Sequence, residues 1–110
     1  MELAGGLLVP YDAHTTQADW LEAERPALVL VARSGLGTLN HTLLSVEALT
    51  ARRLRPTALF LVGAPHVSNR QTLEERIGVP VFEVPRFETL DPSSLEDWLD
   101  GQDLSALFEH

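Results

Sequence analysis

Two short runs in this sequence are apolar at every position, residues 27–32 (ALVLVA) and 58–62 (ALFLV), and each leads into a segment with helical signals. A run of five or six apolar residues has no polar side to turn to water. As a strand it must be covered on both faces, which is the condition of a parallel sheet in an α/β fold. Residues 79–84 (VPVFEV) read as another strand, and so do residues 3–9 (LAGGLLV), split by Gly5 and Gly6 and bounded by Pro10. Between them lie the helices. Thr15 or Thr16 caps a short helix through Trp20 and Leu21 that stops before Pro26. Residues 38–52 put Leu39, Leu43, Val46 and Leu49 on one stripe, with arginines at the end where the helix dipole favours cations. Ser68 and Gln71 have the spacing of a capping box opening a helix to Ile77, which Gly78 stops. Asp91, followed by Pro92, opens a last helix carrying Leu95, Trp98 and Leu99. This alternation predicts right-handed crossovers and a parallel sheet of about four strands with helices on both faces. At 110 residues the chain is expected to form a single domain.

Charge and residue usage exclude several chemistries. All eight basic residues are arginine, so no residue of this chain can act as a Schiff-base lysine, a lysine general base or the lysine of a phosphate loop. Any such group must come from another chain. The formal net charge of -8 disfavours a nucleic-acid partner, whose phosphates need clustered positive charge. There is no cysteine, hence no disulfide, thiolate nucleophile or cysteine-zinc site. The longest apolar run falls far short of the ~20 residues that span a bilayer, so neither a membrane partner nor export is expected, and the predicted location is the cytoplasm.

In parallel sheets, ligands bind where the strands end, which directs attention to Arg33-Ser34-Gly35-Leu36-Gly37-Thr38-Leu39-Asn40-His41. Two glycines let backbone approach a ligand closely, and a helix N-terminus behind them favours an anion. The same residues also make an ordinary tight strand-to-helix turn, with Asn40 and His41 capping or packing. Glu2 stands just before Ala4-Gly5-Gly6, where a carboxylate could be an oxygen ligand for Mg²⁺ or simply part of a frayed terminus. His14, His66 and His110 lack metal-ligand spacing and read as loop or terminal residues. Glu74-Glu75 and Glu96-Asp97 read as solvated helix faces, and Trp98 as a packing anchor.

The stretches ELAGGLLVPYDAHTTQADWL (2–21), LVLVARSGLGTLNHTLLSVEAL (28–49) and GAPHVSNRQTLEERIGVPVFEVP (63–85) together resemble the C-terminal half of the dethiobiotin synthetase family. The combination of E-x-A-G-G with a later G-L-G-x-x-N-H after an apolar strand carries the resemblance. It implies a P-loop-NTPase-like fold and an ATP- and Mg²⁺-dependent closure of a ureido ring from a diamino carboxylic acid and CO₂, in biotin synthesis. By motif matching, Glu2 would be the Mg²⁺ ligand, and Ala4, Gly5 and Gly6 the loop beside the phosphates. Val62, Gly63, Pro85, Arg86 and Phe87 would line the nucleotide. Gly35, Leu36, Gly37, Thr38 and Asn40 would receive the substrate carboxylate, reaching towards a second subunit of a homodimer.

Two departures qualify the resemblance. The family's G-x-x-x-x-G-K-[ST] loop and its lysines belong to a preceding half of about a hundred residues, a domain-sized segment, that this sequence does not contain. The expectation is therefore a chain inactive alone, either needing a complementing P-loop half or serving as a non-catalytic, anion-binding partner. Because Met1 falls immediately before E-x-A-G-G, a reading frame that extends upstream is also expected. The second departure is Gly63, where the family has an asparagine that reads the adenine edge; loss of such a hydrogen-bond pair costs about 1–3 kcal/mol.

Overall fold

A computed structural model describes residues 6–104. The elements follow in the order α1 (Gln17–Glu24), β1 (Val29–Arg33), α2 (Thr38–Ala51), β2 (Ala58–Val62), α3 (Val67–Ile77), β3 (Val81–Val84) and α4 (Pro92–Asp100). The strands form one sheet in the order β1-β2-β3, both pairings parallel, with Val31 beside Phe60 and Phe60 beside Phe82. The α/β class and parallel sheet expected from the sequence are thus present. The strand count differs: the described part of residues 3–9 turns instead of extending, because Gly6 adopts φ 116° and the Val9 N–H returns to the Gly6 carbonyl at 3.4 Å. A single antiparallel bridge, Pro10 to Thr16, closes that turn. The sheet therefore has three strands among the described residues, not four.

The core lies between the sheet and the pair α2 and α3. Leu59, Leu61, Leu73 and Val81 are buried there, packed by Leu30, Ala32, Leu39, Leu43 and Ile77. A second cluster of Leu21, Leu49 and Leu54 seats α1 against the end of α2. Two-sided cover expected of the run 27–32 is absent at β1: Leu30 and Ala32 face the helices, whereas Val29 and Val31 remain 51% and 64% exposed. That side of β1 borders a groove lined by Leu7, Trp20 and Leu28 among others, so it is not packed closely.

Local signals explain the helix ends. Thr16 and Asp19 form a reciprocal capping box, and the Thr16 backbone N–H donated to Asp19 holds that carboxyl below the usual carboxylate range. The cap of α3 is one place where the sequence reading moves: His66, not Ser68, precedes the helix, and its Nδ1 accepts the Asn69 N–H at 3.2 Å. Arginine guanidiniums close the C-terminal ends. Arg25 donates to the Arg53 carbonyl at 2.6 Å, and Arg55 to that of Gly78 at 2.8 Å, joining α1 to the end of α2 and the β2 approach to the end of α3. Trp98 anchors α4 by donating Nε1–H to the Glu83 carbonyl at 2.9 Å.

Replacing Leu73, which is fully buried, by alanine is expected to cost about 2–5 kcal/mol, whereas Leu44→Ala on the exposed side of α2 should cost under about 0.5 kcal/mol. Urea unfolding of the two variants tests this contrast. Asp91 caps α4 by accepting the Ser94 N–H at 2.8 Å, which lowers its pKa. A depressed carboxylate stabilises the fold above its unfolded-state pKa, and the contribution disappears as pH falls through the lowered value. Trp98 fluorescence in a Trp20→Phe background should therefore report loosening of α4 below the ordinary carboxylate range. Asp91→Asn, which keeps a capping oxygen without the charge, should flatten that response.

Candidate functional site

The carboxyl ends of the three strands are stitched to one another in sequence. Ser34 donates its backbone N–H to the Val62 carbonyl at 3.0 Å and its Oγ–H to the Ala64 carbonyl at 2.7 Å. Gly63 in turn donates its N–H to the Val84 carbonyl at 2.9 Å. These bonds hold the loops after β1, β2 and β3 side by side, bringing Gly35–Asn40, Val62, Gly63 and Pro85 onto one edge of the sheet.

Gly63 is a steric necessity there. It adopts φ 131°, and a Cβ at that position would stand 2.7 Å from Ser34 Oγ. The edge at residue 63 is thus lined by backbone and by the Ser34 hydroxyl, which would have to move to admit any side chain there. The sequence places Ser34 in the loop but assigns it no role, because its partners, Val62 and Ala64, belong to another strand end.

The loop into α2 is shaped by Gly37, whose φ of 87° is left-handed and whose Cα is packed by the His41 ring, 3.4 Å from where a Cβ would be. No side chain caps α2. The Thr38 N–H turns back to the Gly35 carbonyl at 3.2 Å and the His41 N–H to that of Gly37 at 3.0 Å, which leaves the Leu39 and Asn40 N–H groups facing forward, where the dipole places about half a positive charge. Thr38 is buried and its hydroxyl lies 3.3 Å from that of Thr42, so Thr38 turns inward while Asn40 remains exposed. Leu36 is fully exposed at the loop apex.

Arg33 at the end of β1 and Arg86 beyond β3 are exposed at this edge, and among the described residues neither makes an ion pair or a hydrogen bond. Phe87 is half-buried beside Arg86. An otherwise acidic chain therefore carries two guanidiniums and an open helix terminus on one side, an arrangement that attracts anions. Gly6 lies in a different setting, lining a groove along β1 with Leu7 and Val29. Glu2, Ala4 and Gly5 lie outside the described residues.

Among the described residues no group of three or more His, Cys, Asp or Glu could hold a metal ion. The described residues therefore do not by themselves make a Mg²⁺ cage.

A family model described as an AAA domain matches residues 1–94. The chain belongs to the AAA domain family. Within it, the chain is 40% identical over 99 residues to the biotin biosynthesis bifunctional protein BioCD of Bordetella avium, covering 89% of this chain and 21% of that protein. It is 41% identical over 96 residues to the ATP-dependent dethiobiotin synthetase BioD of Brucella anthropi, covering 86% and 45% respectively. A further ATP-dependent dethiobiotin synthetase, from Anaeromyxobacter sp. (strain K), is 41% identical over 100 residues, covering 89% and 42%. The chain thus spans less than half the length of each of these relatives. The resemblance read from the E-x-A-G-G and G-L-G-x-x-N-H motifs coincides with these matches. Among the described residues of this AAA domain chain, no helix is long and apolar enough to cross a membrane.

The steric lock at the site edge has a measurable consequence. Gly63→Ala should destabilise the chain by more than about 1 kcal/mol, through positive φ and the clash with Ser34 Oγ. Ser34→Ala should also destabilise, by leaving the Ala64 carbonyl without its donor. In the double variant the clash is gone, because the next atom is Ser34 Cβ at 3.8 Å, so the loss should be smaller than the sum by about 0.5–3 kcal/mol. Additivity within error would show that the two residues are not coupled.

Proposed function

We propose that this chain is one part of an ATP- and Mg²⁺-dependent, dethiobiotin-synthetase-like enzyme that closes a ureido ring from a diamino carboxylic acid and CO₂ in biotin synthesis. It forms a single α/β domain equivalent to the C-terminal half of that enzyme, and is inactive until a P-loop-bearing half is supplied. The observation that carries this reading is the Gly35-Leu36-Gly37 loop running into the uncapped N-terminus of α2, beside Arg33.

In this reading the substrate carboxylate sits on the N–H groups behind Gly35, Leu36, Gly37 and Thr38, with Asn40 as an additional donor. A carboxylate gains there from both hydrogen bonds and the helix dipole. Val62, Gly63, Pro85, Arg86 and Phe87 line the nucleotide, Gly63 admitting it closely because it has no side chain. Glu2, Ala4 and Gly5 contribute the metal ligand and the loop beside the phosphates, with Gly6 as the turn that leads from them to the groove along β1. ATP supplies the phosphoryl group that activates the carbamate. The fully exposed Leu36 suits a contact with the second subunit of a homodimer. With no lysine in the chain, a phosphate-loop lysine must come from the other half.

The isolated chain should release no phosphate that depends on both ATP and a diamino carboxylic acid. Such release from a preparation free of longer enzyme would overturn the reading. In a complex with a P-loop half, Asn40→Ala should raise KM for the diamino acid about tenfold with kcat changed less than twofold, the pattern of lost substrate binding. An unchanged KM would remove Asn40 from the site.

A further inference from the structure

The loop after β1 runs between two buried anchors. Ser34 and Thr38 are 6% and 5% exposed, and the three residues between them carry almost no packing of their own. Nothing stands within 4 Å of where a Gly35 Cβ would be, Leu36 is fully exposed, and the only atoms as near to a Gly37 Cβ would be those of the His41 ring. Two glycines in three positions leave such a stretch free to sample conformations, so its placement depends on its ends. The Thr38 end is fixed to α2 by the contact of its hydroxyl with that of Thr42. The Ser34 end is fixed to the loop after β2. Its N–H goes to the Val62 carbonyl at 3.0 Å and its Oγ–H to the Ala64 carbonyl at 2.7 Å, one on each side of Gly63. Ala64 and Pro65 are themselves exposed, so the Ser34 hydroxyl is a tie for both loops at once.

We infer that Ser34 is a positioning residue that couples these two loops, so that a ligand seated on one strengthens binding at the other. The inference rests on the proposed function for what each loop binds, a carboxylate behind residues 35–38 and a nucleotide against Val62 and Gly63, and adds a dependence between them. Holding a flexible segment in one conformation costs entropy, and the first ligand meets that cost in its own loop. The tie through Ser34 passes the order across. The Ala64 carbonyl cannot shift away without losing its donor, and Gly63 cannot shift inward, because a Cβ there would already stand 2.7 Å from Ser34 Oγ. The second ligand therefore meets a loop already held and binds more tightly. Both donors of Ser34 are committed to the Val62 and Ala64 carbonyls, so it acts through the loops and not on either ligand.

The test uses this chain in complex with a P-loop half. Calorimetric titration gives the Kd of the diamino carboxylic acid with and without a saturating non-hydrolysable ATP analogue, and then the Kd of the analogue with and without the diamino acid. Each ligand should tighten the other at least fivefold, and by the same factor in both directions. In Ser34→Ala that factor should fall below twofold. Leu21→Ala, which loses packing in the second core cluster away from both loops, should keep the parent factor, a difference that general loss of stability does not produce. A second measurement needs no variant: the analogue alone should slow amide hydrogen exchange at Leu36 and Gly37, and the diamino acid alone at Ala64, each at least threefold. No coupling in the parent complex, a parent-like factor in Ser34→Ala, an equal loss in Leu21→Ala, or exchange slowed only in the loop that holds the ligand would overturn the inference. Failure of either ligand to bind would overturn it together with the proposed function. Coupled binding in a complex that closes no ring would uphold the Ser34 link and count against the proposed function, whereas ring closure without coupling would do the reverse.

Discussion

Everything in this structure is located by β2, the one described strand with neighbours on both edges. Its side chains Leu59 and Leu61 are almost fully buried under α2 and α3, so the strand is fixed across the sheet by two ladders and through it by the core. Burial on this scale is worth about 1.5–3 kcal/mol for each leucine, more than any surface ion pair here can supply. The site edge inherits its order from the same strand. Val62 and Ala64 accept from Ser34, and Gly63 between them donates to Val84, so a shift of β2 by one residue would break all three contacts at once. A site made of three loops is held as firmly as a core because its loops are bonded to the end of the most buried strand.

The exclusive use of arginine follows the same economy of positions. Arg25 and Arg55 each reach carbonyls at the end of a helix other than their own, a task that suits a forked, permanently charged donor better than an ammonium. Arg52 lies within 4 Å of Asp19 and Glu22 and also donates to the Ala48 carbonyl at 3.0 Å. These residues are committed to the fold. Arg33 and Arg86 are left at the strand ends, where two uncommitted guanidiniums can bias an acidic surface towards anions without offering a proton-transfer group. This edge is thus the more cationic side of an acidic chain, and its own side chains include no lysine.

What was legible in the sequence was whatever has a local period or a local contact. The runs 27–32 and 58–62 gave the parallel sheet, the stripe from Leu39 to Leu49 gave α2, and Asp91-Pro92 gave the start of α4. Residues 3–9 looked like a strand because hydrophobicity alone cannot register that Gly6 takes φ 116°, which turns the chain instead of extending it. Ser68 looked like a cap because its spacing to Gln71 is right, yet His66 stands two residues earlier with a ring nitrogen able to accept from the same turn. The Ser34–Gly63 lock joins residues far apart in sequence, and no pattern within either segment announces it. The motif residues themselves were readable, and Gly63 was readable as a departure. Its cause was not, being a clash in three dimensions.

β1 is where sequence and position disagree most. Its composition is that of a strand enclosed on both faces, but its described surroundings cover one face and one edge. Natural edge strands carry charges, prolines or bulges, and the apolar run of β1 has only Arg33 at its end. The absent lysine fits the same logic. The chain brings to this edge a glycine loop and two arginines, which stay charged and exchange no proton, and any lysine chemistry has to come from another chain.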